Sequence, residues 1–233
     1  MPELNIGAVV GDAALTSAAH GFLRRTQADV NLLFYMYETV AKESMNAAAG
    51  KSTVGVPTLD RHVAIMEQMF FCRYIDSFLI YISDLLRNVL RKQPNILAGT
   101  EKIKTERLLK VSTIQELLDE VIEEQVASLS YAGFHDLCDW LRKRGIELCP
   151  EQHDEADLVE AIAIRNLIVH NEGRVDNRFV KLVPSRKAPI GEELQLTIDD
   201  ITAAVKTIAK TVSYSDQAAS KKFGLLASAY ASA

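Results

Sequence analysis

The segment from Arg165 to His170 combines side chains that can act on a phosphodiester. Asn166 and His170 are four residues apart, so on a helix they share one face about one turn from each other. Arg165 lies roughly 140° around such a helix from His170, yet its long side chain can flank the same cleft. An imidazole transfers protons near neutral pH, a guanidinium binds phosphate oxygens, and an amide orients either partner. We take Arg165, Asn166 and His170 as the candidate catalytic residues.

RNA is the substrate that this chemistry suits, because its 2′-hydroxyl can act as nucleophile without a metal ion or cofactor. The net charge of −5 excludes a global positive field that would attract a nucleic acid. A local patch is present, however, because the charge changes sign across the segment. Acidic residues precede it: Glu147, Glu151, Asp154, Glu155, Asp157 and Glu160. Basic residues follow it, opposed only by Glu172 and Asp176: Arg174, Arg178, Lys181, Arg186 and Lys187. We expect Arg174, Arg178 and Lys181 to contact RNA.

The six-residue pattern alone favours a simpler interpretation. Arg165 could be a surface cation, and His170 could help to satisfy carbonyl groups in the last turn of a helix. The longer segment argues against this. Its sequence, EAIAIRNLIVHNEGRVD from Glu160 to Asp176, strongly resembles the signature of the HEPN superfamily. It is most similar to the prokaryotic branch of the form Arg-Asn-x-x-x-His-Asn-x-Gly, the RiboL-PSP-HEPN or MAE-like type. Phe70 to Leu97 and Leu194 to Thr197 are similar to flanking parts of that domain, so the resemblance covers about Thr58 to Lys222.

The resemblance implies an α-helical bundle and, in many members, a metal-independent endoribonuclease that dimerises to form a composite cleft. Arg165 and His170 would be the catalytic pair, and Asn166 the polar residue inside the motif. The ribose 2′-hydroxyl would attack the adjacent phosphate and leave a 2′,3′-cyclic phosphate. Members act in toxin–antitoxin pairs, phage defence or RNA processing, which implies RNA, a second copy and an antitoxin or regulatory protein as partners. Some members only bind or dimerise, so a non-catalytic helical module is the alternative.

The hydrophobic pattern predicts helices along most of the chain. We expect a first helix over about Asp12 to Ala48 and a break at Gly50 to Pro57. Thr58 should cap a long helix that ends before Pro94. Its apolar positions, in steps of three and four, predict a core-facing stripe: Ile65, Met69, Cys72, Ile75, Leu79, Ile82, Leu86 and Leu90.

Capping signals delimit the later helices. One helix is expected to begin near Thr100. Thr113 and Glu116 predict a capping box for a helix through Leu129. Further helices should span Phe134 to Arg144, closed by Gly145, and Asp154 to Asn171, with Gly173 at the C′ position. Two extended pieces, Phe179 to Val183 and Leu194 to Leu196, could pair as a small hairpin. The last helix should run from Thr197 and Asp200 to Lys222, and the tail from Leu225 should fray.

These elements predict an all-α fold, an up-and-down bundle of four to five core helices with possibly a small β-hairpin. The domain limits would be 1–57 for an N-terminal helical arm, 58–224 for the HEPN-like domain and 225–233 for a flexible tail. The three cysteines should be reduced. No signal peptide and no membrane-spanning stretch is evident, so we expect a cytoplasmic protein.

No other group of residues predicts a site. The remaining histidines have no metal-ligand spacing, and Asp76 and Asp84 lack a second acidic pair. We expect Arg142, Lys143 and Arg144 to complement the end of their helix, although they could extend an RNA-binding surface, and we expect Trp140 to be in the core or at an interface.

Overall fold

The computed structural model describes residues 14–51, 56–98, 105–108 and 110–229. In this part of the chain the fold is all-α and of the helical-bundle class, as predicted. The helices are α1 Ser17–Ala48, α2 Val56–Lys92, α3 Thr105–Leu108, α4 Ile114–Ala132, α5 Phe134–Arg142, α6 Gln152–Asn171, α7 Asn177–Leu182 and α8 Ile198–Phe223, with 3₁₀ turns at Pro94–Leu97 and Pro184–Arg186. Two short strands, β1 Ala14–Thr16 and β2 Ala227–Ala229, complete the fold.

The two strands pair antiparallel, with Leu15 opposite Ser228. One expectation was therefore wrong, because residues 14–16 are not helical. Residues 227–229, which lie in the predicted tail, form strand β2. The buried Asp216 carboxylate accepts hydrogen bonds from Thr16 N (2.8 Å) and Thr16 Oγ1 (2.6 Å). These bonds satisfy the backbone of β1 just before α1 begins.

Helix α2 begins at Val56, two residues before the predicted cap Thr58, because a proline such as Pro57 fits the first turn of a helix. It ends at Lys92, before Pro94, as predicted. The predicted stripe is buried only in part, since Ile65 is 44% and Met69 62% exposed. A second row of buried side chains widens the core-facing surface beyond that stripe: Phe71, Tyr74, Phe78, Tyr81 and Leu85.

The predicted capping box at Thr113 is present, and a similar reciprocal pair of hydrogen bonds caps the start of α8. Thr113 Oγ1 accepts a hydrogen bond from Glu116 N at 3.1 Å, while Glu116 Oε2 accepts from Ser112 N at 2.8 Å. At the start of α8, Thr197 Oγ1 accepts from Asp200 N and Asp200 Oδ2 accepts from Thr197 N. These side chains satisfy amide groups that the first turn of a helix leaves unpaired.

The predicted hairpin between residues 179–183 and 194–196 is wrong. Residues 177–182 form helix α7, because the Asp176 side chain accepts a hydrogen bond from Phe179 N (2.7 Å) and so caps the first turn. In the described residues around it, the only remnant of strand pairing is an isolated bridge between Arg174 and Glu193. Of the helix expected near Thr100, residues 99–104 lie outside the described residues, and α3 begins at Thr105.

The chain divides into two compact units, and helices α1, α2, α6 and α8 contribute residues to both. In the described residues, the first unit comprises 23–78 and 156–209. This unit contains residues from both sides of the break that the sequence predicts at 50–57. The predicted domain limits remain predictions. The core of this unit includes Phe71, Tyr74, Ile164, Leu167 and Phe179.

The second unit holds the strand pair, α4, α5 and the buried Tyr81, whose hydroxyl lies 2.8 Å from Ser215 Oγ. Cys138 and Cys149 are buried and Cys72 is half-buried, and all three are free thiols as expected. No helix in the described ranges has an apolar stretch of the length and hydropathy of a membrane span.

Candidate functional site

Helix α6 carries the candidate catalytic residues, and its apolar side chains determine which way they face. Leu158, Ala161, Ile164 and Leu167 recur every three residues and are buried. Each step of three turns a helix by about 300°, so each residue lies about 60° around from the one before it and the row winds across about half of the helix surface. Asn166 and Arg165 are half-buried, and His170 is exposed.

The end of α6 brings the following residues back beside the helix. Glu172 (φ 51°) and Gly173 (φ 75°) are consecutive residues in the left-handed region. Gly173 N donates to Leu167 O at 2.9 Å, and Arg174 N donates to Asn171 O at 2.8 Å. Gly173 was predicted as C′; Glu172 in fact takes the first left-handed position and Gly173 the second. The backbone conformation explains the glycine, because a Cβ at Gly173 would meet only an ordinary contact of 3.7 Å with Glu193 Cγ.

An open cavity of about 360 Å³ lies between the end of α6 and helix α7. The side chains that line it are Ala163, Asn166, Leu167, His170, Asn171, Asp176, Arg178, Phe179 and Leu182. The cavity therefore combines an apolar wall with an imidazole, amide groups, one guanidinium and the Asp176 carboxylate. Asn166 and His170 share this cavity, as their spacing on one helix face predicts. The His170 side chain makes no hydrogen bond or ion pair with the described residues.

Arg165 is held away from this cavity by a partner that was not predicted. Its Nη2 lies 2.7 Å from Asp76 Oδ1 on α2, and its Nη1 donates to Asn166 Oδ1 at 3.0 Å. Arg165 is not one of the described residues that line the cavity. Burial raises the pKa of the nearby Cys72 thiol to about 11, and the Arg165 charge offsets that rise in part. From the sequence, Asp76 is considered only as a possible metal ligand, because the spacing within α2 does not show which residue of another helix lies beside it.

The predicted basic patch is smaller than the sequence suggests. Arg174, Arg178 and Lys181 are exposed, and Arg178 lines the cavity. Arg186 does not belong to the patch, because Glu160 Oε1 lies 3.0 Å from its Nε and Asp200 Oδ1 lies 2.5 Å from its Nη2. These two carboxylates neutralise the Arg186 guanidinium.

One possible metal-ligand group appears in the described residues, and a cation of the chain already occupies it. Ligand atoms of Glu151, His153 and Asp154 lie within 4.8 Å of one another. Lys210 Nζ is 2.7 Å from Glu151 Oε1 and 3.1 Å from Asp154 Oδ2. The lysine ammonium therefore neutralises these carboxylates, and the group does not fit a second cation.

Arg142 and Arg144 interact within the second unit. Arg142 lies 2.6 Å from both Glu155 Oε2 and Asp139 Oδ1. The Arg144 guanidinium stacks on the Trp140 ring, 3.7 Å from its centroid. These contacts support the structural interpretation of the basic run, and the half-buried Trp140 is engaged by Arg144.

We compared the sequence with models of known protein families and with characterised proteins, and the fold with solved structures, and found no match. The function must therefore be inferred from the chain's own residues.

Proposed function

We propose that this chain is a HEPN-type, metal-independent endoribonuclease. The observation that carries the proposal is the cavity that His170 and Asn166 share with Arg178. It places an imidazole, an amide and a guanidinium, together with the Asp176 carboxylate, around a cavity of about 360 Å³. The exposed cations Arg174 and Lys181 follow α6 closely in the chain and extend the positive charge that a polyanion requires.

The reaction is a transesterification that needs no external nucleophile. The ribose 2′-oxygen attacks the adjacent phosphorus, the bond from phosphorus to the 5′-oxygen breaks, and a 2′,3′-cyclic phosphate remains. The 2′-hydroxyl loses a proton and the leaving 5′-oxygen gains one, and the His170 imidazole takes part in this transfer. Amide and guanidinium donors stabilise the charge that develops on the phosphorane. Arg165 lies beside this site, and its guanidinium donates a hydrogen bond to the amide oxygen of Asn166.

A second copy of the chain is part of this proposal, because the resemblance implies a composite cleft with two motifs. We further propose that the enzyme acts in the cytoplasm, in a toxin–antitoxin pair, in phage defence or in RNA processing. An antitoxin or regulatory protein would be its partner in the first of these settings.

Incubation of the purified protein with RNA in excess EDTA tests the proposal. We expect cleavage to products that end in a 2′,3′-cyclic phosphate, and loss of cleavage in Arg165→Ala and His170→Ala. His153→Ala is a matched control, because His153 is an exposed histidine near the opposite end of α6. Equal cleavage by the wild type and His170→Ala would reveal a contaminating nuclease and contradict the proposal.

A non-catalytic interaction module is the second candidate, and exposed apolar side chains on α1 and α2 favour it. Leu32, Tyr35 and Met45 of α1 and Ile65 and Met69 of α2 are between 44% and 74% exposed. Exposed apolar side chains mark a site for a partner where they form a contiguous patch. This candidate predicts binding to a protein or RNA without cleavage, and binding that His170→Ala does not weaken.

A further inference from the structure

Three side chains form a connected series that ends at the cavity. Asp76 Oδ1 lies 2.7 Å from Arg165 Nη2, and Arg165 Nη1 lies 3.0 Å from Asn166 Oδ1. Asn166 lines the cavity together with His170. We call this series the Asp76–Arg165–Asn166 chain. It connects a carboxylate on α2 to the candidate site on α6.

Hydrogen-bond chemistry determines the orientation of the Asn166 amide. A guanidinium has donors and no acceptor, so Arg165 can bond only to the amide oxygen of Asn166. The Nδ2H₂ group of Asn166 is then the group that can donate a hydrogen bond to a ligand. In this orientation Asn166 can donate a hydrogen bond to a phosphate oxygen. Its Oδ1 could accept a hydrogen bond from a hydroxyl group only if the hydrogen bond with Arg165 were broken.

Asp76 restrains the guanidinium that sets this orientation. The Arg165 side chain is 21% exposed, and its buried Nε has no hydrogen-bond partner in the described part of the chain. Its position therefore depends on the two Nη contacts, of which only the one with Asp76 is between opposite charges. Charge-assisted bonds of this kind are stronger than neutral ones. Without the Asp76 carboxylate, the guanidinium could rotate away from Asn166 toward water.

We propose that Asp76 is a positioning residue of this site: it holds Arg165 so that the Asn166 amide presents its NH₂ group to a phosphate oxygen in the cavity. The proposal rests on the ribonuclease function proposed above. It assigns Arg165 an indirect part in this arrangement, and it leaves phosphate contact to Asn166 and Arg178.

Substitution of Asp76 with a matched control tests the assignment. Asp76→Asn keeps the shape of the side chain and removes its charge. We expect kcat for RNA cleavage to fall roughly 10-fold, with KM within about 2-fold of the wild type. Asp76→Glu should restore part of the rate, because it restores the carboxylate. The control is Asp84→Asn on the same helix, since Asp84 also pairs with an arginine, Arg87, at 3.0 Å, and should leave kcat unchanged.

A double-mutant cycle separates positioning from a general loss of structure. If Asp76 acts through Asn166, Asp76→Asn should change the residual rate of Asn166→Ala by less than about 2-fold. Two independent losses would instead multiply. Wild-type kcat in Asp76→Asn, or multiplication of the two effects, would overturn the positioning role and leave the ribonuclease proposal intact.

The Asn166 side-chain amide provides a measurement that needs no RNA. Its NH₂ resonances in an NMR spectrum can be assigned by their disappearance in Asn166→Ala. We expect them to shift in Asp76→Asn and to stay in place in Asp84→Asn. If the wild type does not cleave RNA while these shifts occur, the ribonuclease proposal fails and the structural link holds. If Asp76→Asn leaves the resonances in place, the link itself is wrong.

Discussion

Arg165 and Asp76 form an ion pair between helices α6 and α2, with Arg165 Nη2 2.7 Å from Asp76 Oδ1. Arg165, which the sequence motif predicts to bind a phosphate, is therefore already neutralised by a carboxylate of the same chain. An RNA phosphate would have to compete with Asp76 for the guanidinium or bind beside it. Asn166, which accepts from the same guanidinium and lines the cavity, is the closer candidate for phosphate contact.

Arg165→Ala should abolish RNA cleavage and change stability little. The pair is partly exposed, with Asp76 41% and Arg165 21% accessible, and ion pairs in contact with water contribute up to about 1 kcal/mol. Urea unfolding followed by circular dichroism should give a free energy of unfolding within about 1 kcal/mol of the wild type. A much larger loss would mean that Arg165 is mainly a structural residue.

Arg178→Ala and Arg186→Ala should separate RNA binding from stability. Arg178 is exposed at the cavity, so its removal should weaken RNA binding and make the dependence on salt concentration shallower by about one unit of slope. Arg186 is neutralised by Glu160 and Asp200, so its removal should lower the unfolding midpoint and leave the salt dependence unchanged. Fluorescence anisotropy with an RNA oligonucleotide measures the affinity for RNA and its dependence on salt. The salt concentration is varied from roughly 50 to 200 mM, the range over which such contacts are resolved. The opposite pattern would show that Arg186 is the RNA contact.

Asp216→Ala should destabilise the second unit by about 1–3 kcal/mol, because it removes the acceptor of two buried hydrogen bonds from Thr16. Thermal unfolding and hydrogen exchange at residues 14–16 would measure the loss and show whether the strand pair opens. Gln217→Ala, at the exposed next position of α8, is the control. If both variants unfold at the wild-type midpoint, Asp216 does not hold β1.

His135 should make a small contribution to stability that depends on pH. A hydrogen bond with Glu155, 2.7 Å away, raises the pKa of His135 above its ordinary value of 6.5. Because the pKa is higher in the folded state, the contribution is fully present below about pH 6.5 and is lost as the pH rises through the raised pKa. The imidazole is 70% exposed, so we expect well under about 1 kcal/mol.

An NMR titration of His135 checks this shift directly. Glu155→Gln should return the pKa of His135 toward 6.5. A His135 pKa that is unchanged by this substitution would contradict the assigned cause.

The three thiols should react slowly with a thiol reagent at pH 8 while the protein is folded. Burial raises the pKa of Cys72 to about 11, and a hydrogen bond with Cys149 together with burial raises the pKa of Cys138 well above its usual range. Thiolate is the reactive form, so Cys72 and Cys138 supply little of it at this pH. Burial of Cys149 limits the access of the reagent to its thiol. The half-buried Cys72 should react first, and Cys72→Ser should remove the fastest phase. Rapid labelling of Cys138 in the folded protein would contradict this prediction.

Local chemistry predicted the elements that depend on neighbouring residues. The capping boxes at Thr113 and Thr197 and the end of α2 before Pro94 all follow from groups within one turn of the helix. The same kind of argument missed helix α7. A short β-branched and aromatic run indicates a strand, but the Asp176 cap favours a helix there, and its effect depends on the turn at Gly173.

The pairing of β1 with β2 could not be predicted. Each strand has three residues, which is too few for a periodic pattern, and the anchoring bond from Thr16 to Asp216 joins residues 200 positions apart. Burial of Phe71 and Tyr74 beside exposed Met69 likewise depends on which helices pack against α2.

The spacing of Asn166 and His170 was enough to place both side chains on one face of a helix, because 3.6 residues per turn is a local property of the backbone. The fold class and the sign change in charge after α6 were also apparent from the sequence. Only the tertiary structure decided the surroundings of these residues: Asp76 for Arg165, α7 as the opposite wall of the cavity, and the neutralisation of Arg186. These contacts join residues of different helices or residues on either side of a turn, and the spacing within one helix does not specify them.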